Sequence, residues 1–226
     1  NAQHSFQKKL FHIPLTLGLL SADGDTLPLK LTGSTAEKNQ DSIILELRKQ
    51  SETFVFEDIS VAPIPSLLRG FSAPVKLHFD YSNAELAFLL ANDTDEFNRW
   101  EAGQQLMIRI SLEQIRRFQN NEPFNLDSEL ENAFRSLLKQ TTEGDSALLA
   151  LALSFPNELY LGELMDIIDV EAIHEARKFL RTELAQKLQP EFEKTYLNFQ
   201  QEGPFKIDQQ SMGRRSLKNV CLGYLT

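Results

Sequence analysis

Residues 63–100 read PIPSLLRGFSAPVKLHFDYSNAELAFLLANDTDEFNRW. Within this stretch Val75, Leu77, Phe79 and Tyr81 fall on one side of an extended chain, and Lys76, His78 and Asp80 on the other. That period of two predicts a half-buried strand. At Ser82 the period changes. Ser82-Asn83-Ala84-Glu85 has the form of a capping box: the Ser82 hydroxyl can accept from the Glu85 amide while the Glu85 carboxylate reaches back. No convincing strand follows, so a β half meets an α half at this point. We expect a small antiparallel β-sandwich over residues 1–81, lacking its first strands, then an α-helical, solenoid-like array over residues 82–226.

Upstream, Phe11, Ile13, Leu15, Leu17 and Leu19 alternate with His12, Pro14, Thr16 and Gly18, which predicts a strand, with Pro14 pointing to a sheet edge. Asp23-Gly24 signals a turn and predicts a hairpin into Leu27, Leu29 and Leu31. A polar loop follows, then a third strand through Ile43, Leu45 and Leu47 and a fourth at Phe54 and Phe56. Short strands at roughly ten-residue spacing fit a sandwich. So few strands make a thin one, however, and we expect the chain to be cut from a longer one. Asn1-Ala2 then has the look of an expression scar. Between the last two strands Pro63, Pro65 and Pro74 fix φ and withhold amide donors, giving a stiff crossing loop packed by Leu67, Leu68 and Phe71.

Downstream, helices are predicted over residues 83–91 and, after an Asp93-Thr94-Asp95 cap, to about Gln119. In the second, Phe97, Trp100, Met107 and Ile110 make one stripe that Leu106, Ile108, Leu112 and Ile115 widen, so it is packed on more than one side. Trp100 in that stripe reads as core. Further starts fall at Asp127, Asp145, Asn157, Asp169 and Pro190, and a last helix carries Met212, Leu217, Val220 and Leu225. Short helices joined by brief turns predict an irregular array. The chain stops in an apolar helix, from which we expect the array to continue.

The net charge of −9 argues against a nucleic-acid partner, and the basic cluster Arg214, Arg215 and Lys218 reads as a solvated helix face. No apolar run is long enough to span a bilayer, and no membrane partner is expected. The single Cys221, among Val220, Leu222 and Leu225, reads as a buried core thiol. One cysteine fits a reducing compartment, and a cytoplasmic location is expected.

Chemistry is sparse. His174-Glu175-Ala176-Arg177-Lys178 approaches the zinc motif H-E-x-x-H, but Lys178 puts a cation where a second neutral ligand is required. The other histidines, His4, His12 and His78, lie far away in sequence. Asp23, Gly24 and Asp25 resemble the opening of a calcium loop without its distal Glu, and read as a turn. The pairs Asp166 with Asp169 and Glu191 with Glu193 suit solvated helices. Catalytic, cofactor-binding and metal residues are therefore expected to be none.

Several segments resemble bacterial aminopeptidase N enzymes. They are P-S-L-L-R-G-F-S-A-P-V-K-L at residues 65–77; Asp95, Phe97, Arg99, Trp100 and Ala102; Leu164, Asp166, Ile167, Ile168 and Asp169; and Arg215, Leu217, Asn219, Cys221 and Leu222. They follow the family's order across most of the chain. The resemblance implies a zinc metallopeptidase that releases N-terminal amino acids, built of an N-terminal β domain, a thermolysin-like catalytic domain, a small β-sandwich and a helical domain. This chain resembles the last two, the helical domain in its first part only. The family's G-x-M-E-N and H-E-x-x-H motifs are not in this sequence, so no catalytic residue carries over and the chain alone should be inactive. The implied cofactor is zinc in the parent and none in this chain. The implied partners are the catalytic domain of the parent and its peptide substrates. A stiff spacer followed by a wall of the active-site chamber is the implied role. The competing expectation is an independent helical-repeat adaptor that binds another protein.

Overall fold

The computed structural model describes residues 10–33, 40–139, 145–200 and 203–226. Asn1, Ala2, His4 and part of the polar loop after Thr32 lie outside them. Two compact units are present: Asn1–Asp80 with Asp93–Asn98, and Tyr81–Asn92 with Arg99–Thr226.

The first unit is built on a three-stranded antiparallel sheet of β1 (Ile13–Leu20), β2 (Ile43–Leu47) and β3 (Ile64–Leu67), in the order β2-β1-β3. Leu15 pairs with Leu45, and Leu17 with both Ile43 and Leu67. The period of two sends Leu15, Leu17 and Leu19 into one cluster with Leu29 and Leu45. Leu27, Leu31, Phe54, Phe56 and Leu77 close over it.

Several expected strands are reduced or moved. The segments at 27–31 and 54–56 make only the isolated bridges Leu20↔Thr26, Leu29↔Gln40 and Leu31↔Phe56. Residues 75–80 join no ladder; the place beside β1 is taken by Ile64–Leu67, within the segment read as a crossing loop. The alternation at 75–81 holds for burial only in part. Leu77 packs on the core and Tyr81 is buried, but Phe79, expected on the same side, is 46% exposed, and Lys76, His78 and Asp80 are exposed as expected. A period of two tells which side chains share a face and says nothing about hydrogen-bond partners. β1, expected at an edge, is the central strand. Pro14 nevertheless lies outside the Leu17–Leu20 stretch that pairs with β3, so only β2 flanks it.

Helices follow: α1 (Asn83–Asn92), α2 (Glu96–Gln119), α3 (Ser128–Lys139), α4 (Ser146–Ala152), α5 (Glu158–Glu163), α6 (Val170–Lys187), α7 (Gln189–Asn198) and α8 (Gln209–Leu225). Polar side chains start most of them by satisfying amides that have no intrahelical acceptor. The capping box is closed both ways: Ser82 N donates to Glu85 Oε2 at 2.7 Å and Glu85 N to Ser82 Oγ at 3.2 Å. Asp127, Asp145, Asn157, Asp169 and Asp208 each accept from an amide in the turn they open. In the second unit α8 packs on α4, α6 and α7. Tyr224 of α8 stacks on Phe192 at 4.4 Å and meets Phe134 edge-on, all three buried. A second cluster joins Ile115 to Leu161, Ile173 and Ala176.

Candidate functional site

The most constrained polar site lies in the first unit, at the turn after β3. Leu68, Gly70 and Phe71 have φ of 61°, 60° and 50°. For Leu and Phe this left-handed backbone costs on the order of 1–3 kcal/mol each, so it persists only where neighbours over-determine it. They do so here. Gly70 N donates to Asp95 Oδ2 at 2.9 Å, and Phe71 packs on Phe97 with ring centroids 5.3 Å apart. Asn98 Nδ2 donates to Ser66 Oγ at 2.8 Å and to the Leu67 carbonyl at 2.9 Å.

Between these bonds lies Arg69. Its Nη2 donates to Thr94 Oγ1 at 2.5 Å and stands 3.9 Å from Asp93 Oδ1. The Asp93 side chain is wholly buried, and the Arg69 side chain is 12% exposed. Burial pushes the Asp93 carboxyl above the usual range, outweighing the Ser66 hydroxyl, the Asp95 amide and the Arg69 charge that favour its ionised form. Gly18 leaves room for the guanidinium: a Cβ there would stand 2.1 Å from Arg69 Nη1. Among the described residues Arg69 Nη1 and Asp93 Oδ2 find no hydrogen-bond partner. With Arg69 held between Thr94 and Asp93, and flanked by the Gly70–Asp95 and Asn98–Ser66 bonds, the cluster is a clamp that holds a strained turn.

The site missed in the sequence was therefore Arg69 with Asp93. An arginine inside Leu-Leu-Arg-Gly-Phe was its one signal, and Asp93 was read only as part of a helix cap. The clamp joins residues 65–77 to Asp95 and Phe97, two of the segments that carried the family resemblance.

The sequence-level candidates lie apart from it. His174 is exposed, with Nδ1 3.2 Å from Glu158 Oε1, and Lys178 Nζ lies 3.4 Å from Glu175 Oε1. Gly24, at φ 93°, turns the chain over Ser21, whose Oγ accepts from the Asp23 and Asp25 amides. Asp169 caps α6 while Asp166 is exposed. Glu191 pairs with Arg135, and Glu193 accepts from Gln189. Trp100 is half-buried on α2. Arg214, Arg215 and Lys218 lie over Phe199, Phe205 and Tyr196, so the cations read as a solvated face are laid onto aromatic rings. Cys221 is buried, and burial pushes its thiol up to about 12. Among the described residues no group of three or more His, Cys, Asp or Glu could hold a metal ion, and no helix is long and apolar enough to cross a membrane.

Residues 83–226 match the family described as "Domain of unknown function (DUF3458_C) ARM repeats", and residues 1–80 the one described as "Domain of unknown function (DUF3458) Ig-like fold". Aminopeptidase N of Escherichia coli is 34% identical over 97% of this chain, and that of Haemophilus influenzae is 32% identical over 97%. Each is covered over only 24% of its own length, so the chain spans about a quarter of these relatives. A crystal structure of Legionella pneumophila aminopeptidase A in complex with aspartic acid matches with a TM-score of 0.68 and 28% identity, over 95% of this chain and 24% of that one. With a three-stranded antiparallel sheet leading into a helical array, and with the match spanning α1 to α8, this chain belongs to the DUF3458_C family of ARM repeats and is homologous to bacterial aminopeptidase N over about a quarter of that protein's length.

Proposed function

We propose that the chain is a non-catalytic section of an aminopeptidase N-like zinc metallopeptidase, whose whole polypeptide hydrolyses N-terminal amino acids from peptides. In this reading residues 1–81 are a spacer domain, and residues 82–226 are the first part of a helical domain that walls the active-site chamber. The observation that carries it is the match along 97% of this chain to proteins of which it covers only 24%. The residues here do not fit zinc, because His174 has Lys178 one helical turn on and no alternative ligand set is present among the described residues. The metal and the reacting groups belong to the section of the parent outside this chain. The residues on hand hold backbone and present surface. A strained turn clamped by buried charge suits a stiff spacer, and stacked short helices suit a wall. The parent is read as cytoplasmic, with peptides as substrates and with no nucleic-acid or membrane partner.

The test is direct. The purified chain, incubated with zinc and an alanyl chromogenic substrate, should neither turn it over nor retain a stoichiometric metal. Turnover abolished by a chelator would overturn the reading. So would a reading frame whose upstream portion encodes no H-E-x-x-H.

A further inference from the structure

From Asn157 to Ile173 the chain carries five carboxylates, Glu158, Glu163, Asp166, Asp169 and Glu171, and no lysine or arginine. Interleaved with them are Leu159, Ile167, Ile168 and Val170, exposed to 74%, 83%, 61% and 71%. Single exposed apolar side chains are ordinary, but several within a dozen residues, from α5 through the turn into the start of α6, mark an interaction face. The turn is built to hold them still. Leu161 and Gly162 are buried, the Leu164 and Met165 amides donate to the carbonyls of Leu161 and Gly162, and Asp169 caps α6 while accepting from Gln119. A face already in one conformation loses little entropy on docking.

Charge narrows what can dock. Glu158 is paired with Arg177, and Asp169 is spent on its cap, but Glu163, Asp166 and Glu171 are exposed in the same stretch as the apolar side chains. Nucleic acid and anionic lipid would be repelled. A second copy would bring the same carboxylates and a net charge of −9. What remains is a protein surface with apolar sockets between lysine and arginine side chains.

We infer that the α5–α6 turn, around Leu159, Ile167, Ile168 and Val170, docks against such a surface on the remainder of the longer polypeptide; this rests on the proposed function. The relatives extend to about four times this chain's length, since it covers 24% of them. A surface on the same polypeptide meets the turn at a high effective concentration, so few contacts suffice.

The test compares hydroxyl-radical labelling of Leu159, Ile167 and Ile168 in the 226-residue chain and in the long polypeptide expressed from its gene. Docking predicts labelling roughly tenfold slower in the long polypeptide, because water is excluded from an interface core. Ile167→Asp should leave the melting temperature of the short chain unchanged, since that side chain is exposed. In the long polypeptide it should lower the melting temperature and restore labelling at Leu159. Equal labelling in a long polypeptide that binds zinc and releases N-terminal amino acids would overturn the docking inference and leave the functional reading intact. Protection of the short chain that disappears on dilution would also overturn it, by making a second copy the occupant. A long polypeptide with neither zinc nor activity would remove the functional reading, and this inference with it.

Discussion

Replacing Gly18 by alanine tests whether the Arg69–Asp93 clamp holds the turn after β3. A Cβ at position 18 would stand 2.1 Å from Arg69 Nη1 and 3.1 Å from its Cζ, inside any real contact distance. The guanidinium, at the end of a flexible side chain, must therefore shift. A shift that clears the methyl loosens the 2.5 Å bond to Thr94 Oγ1 and draws the positive charge away from a wholly buried carboxyl group. A hydrogen bond from a charged donor contributes about 1.5–3 kcal/mol, and unpairing a buried charge costs about 3–5 kcal/mol. Asp93 keeps the Ser66 hydroxyl and the Asp95 amide, and its carboxyl is already pushed toward the neutral form, so the lower end applies. We expect a loss of about 3 kcal/mol, read from urea unfolding of the first unit. The Asp93→Asn background sharpens the test: with no carboxylate to abandon, the Gly18→Ala cost should fall by about 1 kcal/mol or more. A Gly18→Ala cost under about 0.5 kcal/mol, or the same cost in both backgrounds, would refute the clamp.

The raised Asp93 carboxyl sets the sign of a pH effect. Its contribution to stability is full below the ordinary aspartate value near pH 4 and is lost as pH rises through the raised folded value. Urea midpoints measured across that window should thus show Asp93→Asn gaining on wild type as pH rises; a constant difference would count against it. Tyr224→Phe removes the 2.8 Å hydrogen bond to the buried Leu153 carbonyl and keeps the ring stack on Phe192. It should cost about 1–2 kcal/mol in unfolding followed by helical circular dichroism. Cys221, buried and with its thiol pushed up to about 12, should resist thiol reagents at neutral pH until the helical unit unfolds. Fast labelling under native conditions would contradict its burial.

The helical unit was the more legible part. Its starts were marked at Ser82, Asp127, Asp145, Asn157 and Asp169 because a cap is a local device: one side chain answers an amide two or three residues on. The sheet was less so. Alternation located β1 and β2 and marked Leu77 and Tyr81 as inward, yet Phe79 is exposed and β3 forms within a proline-rich segment that reads as a loop. Strand pairing joins residues far apart in sequence, and periodicity carries no record of the partner.

Read alone, the sequence shows where most helices begin, at the caps from Ser82 to Asp169, and that His174 lacks the second histidine of a zinc motif. That Arg69 reaches Asp93 and Thr94, more than twenty residues on, and that Gly18 gives it room, emerges only once the chain is folded. Folding alone left Ile167, Ile168 and Val170 uncovered among carboxylates. Local hydrogen bonds and periods are written along the chain, whereas burial of a charge or exposure of an apolar side chain depends on what folding brings beside it.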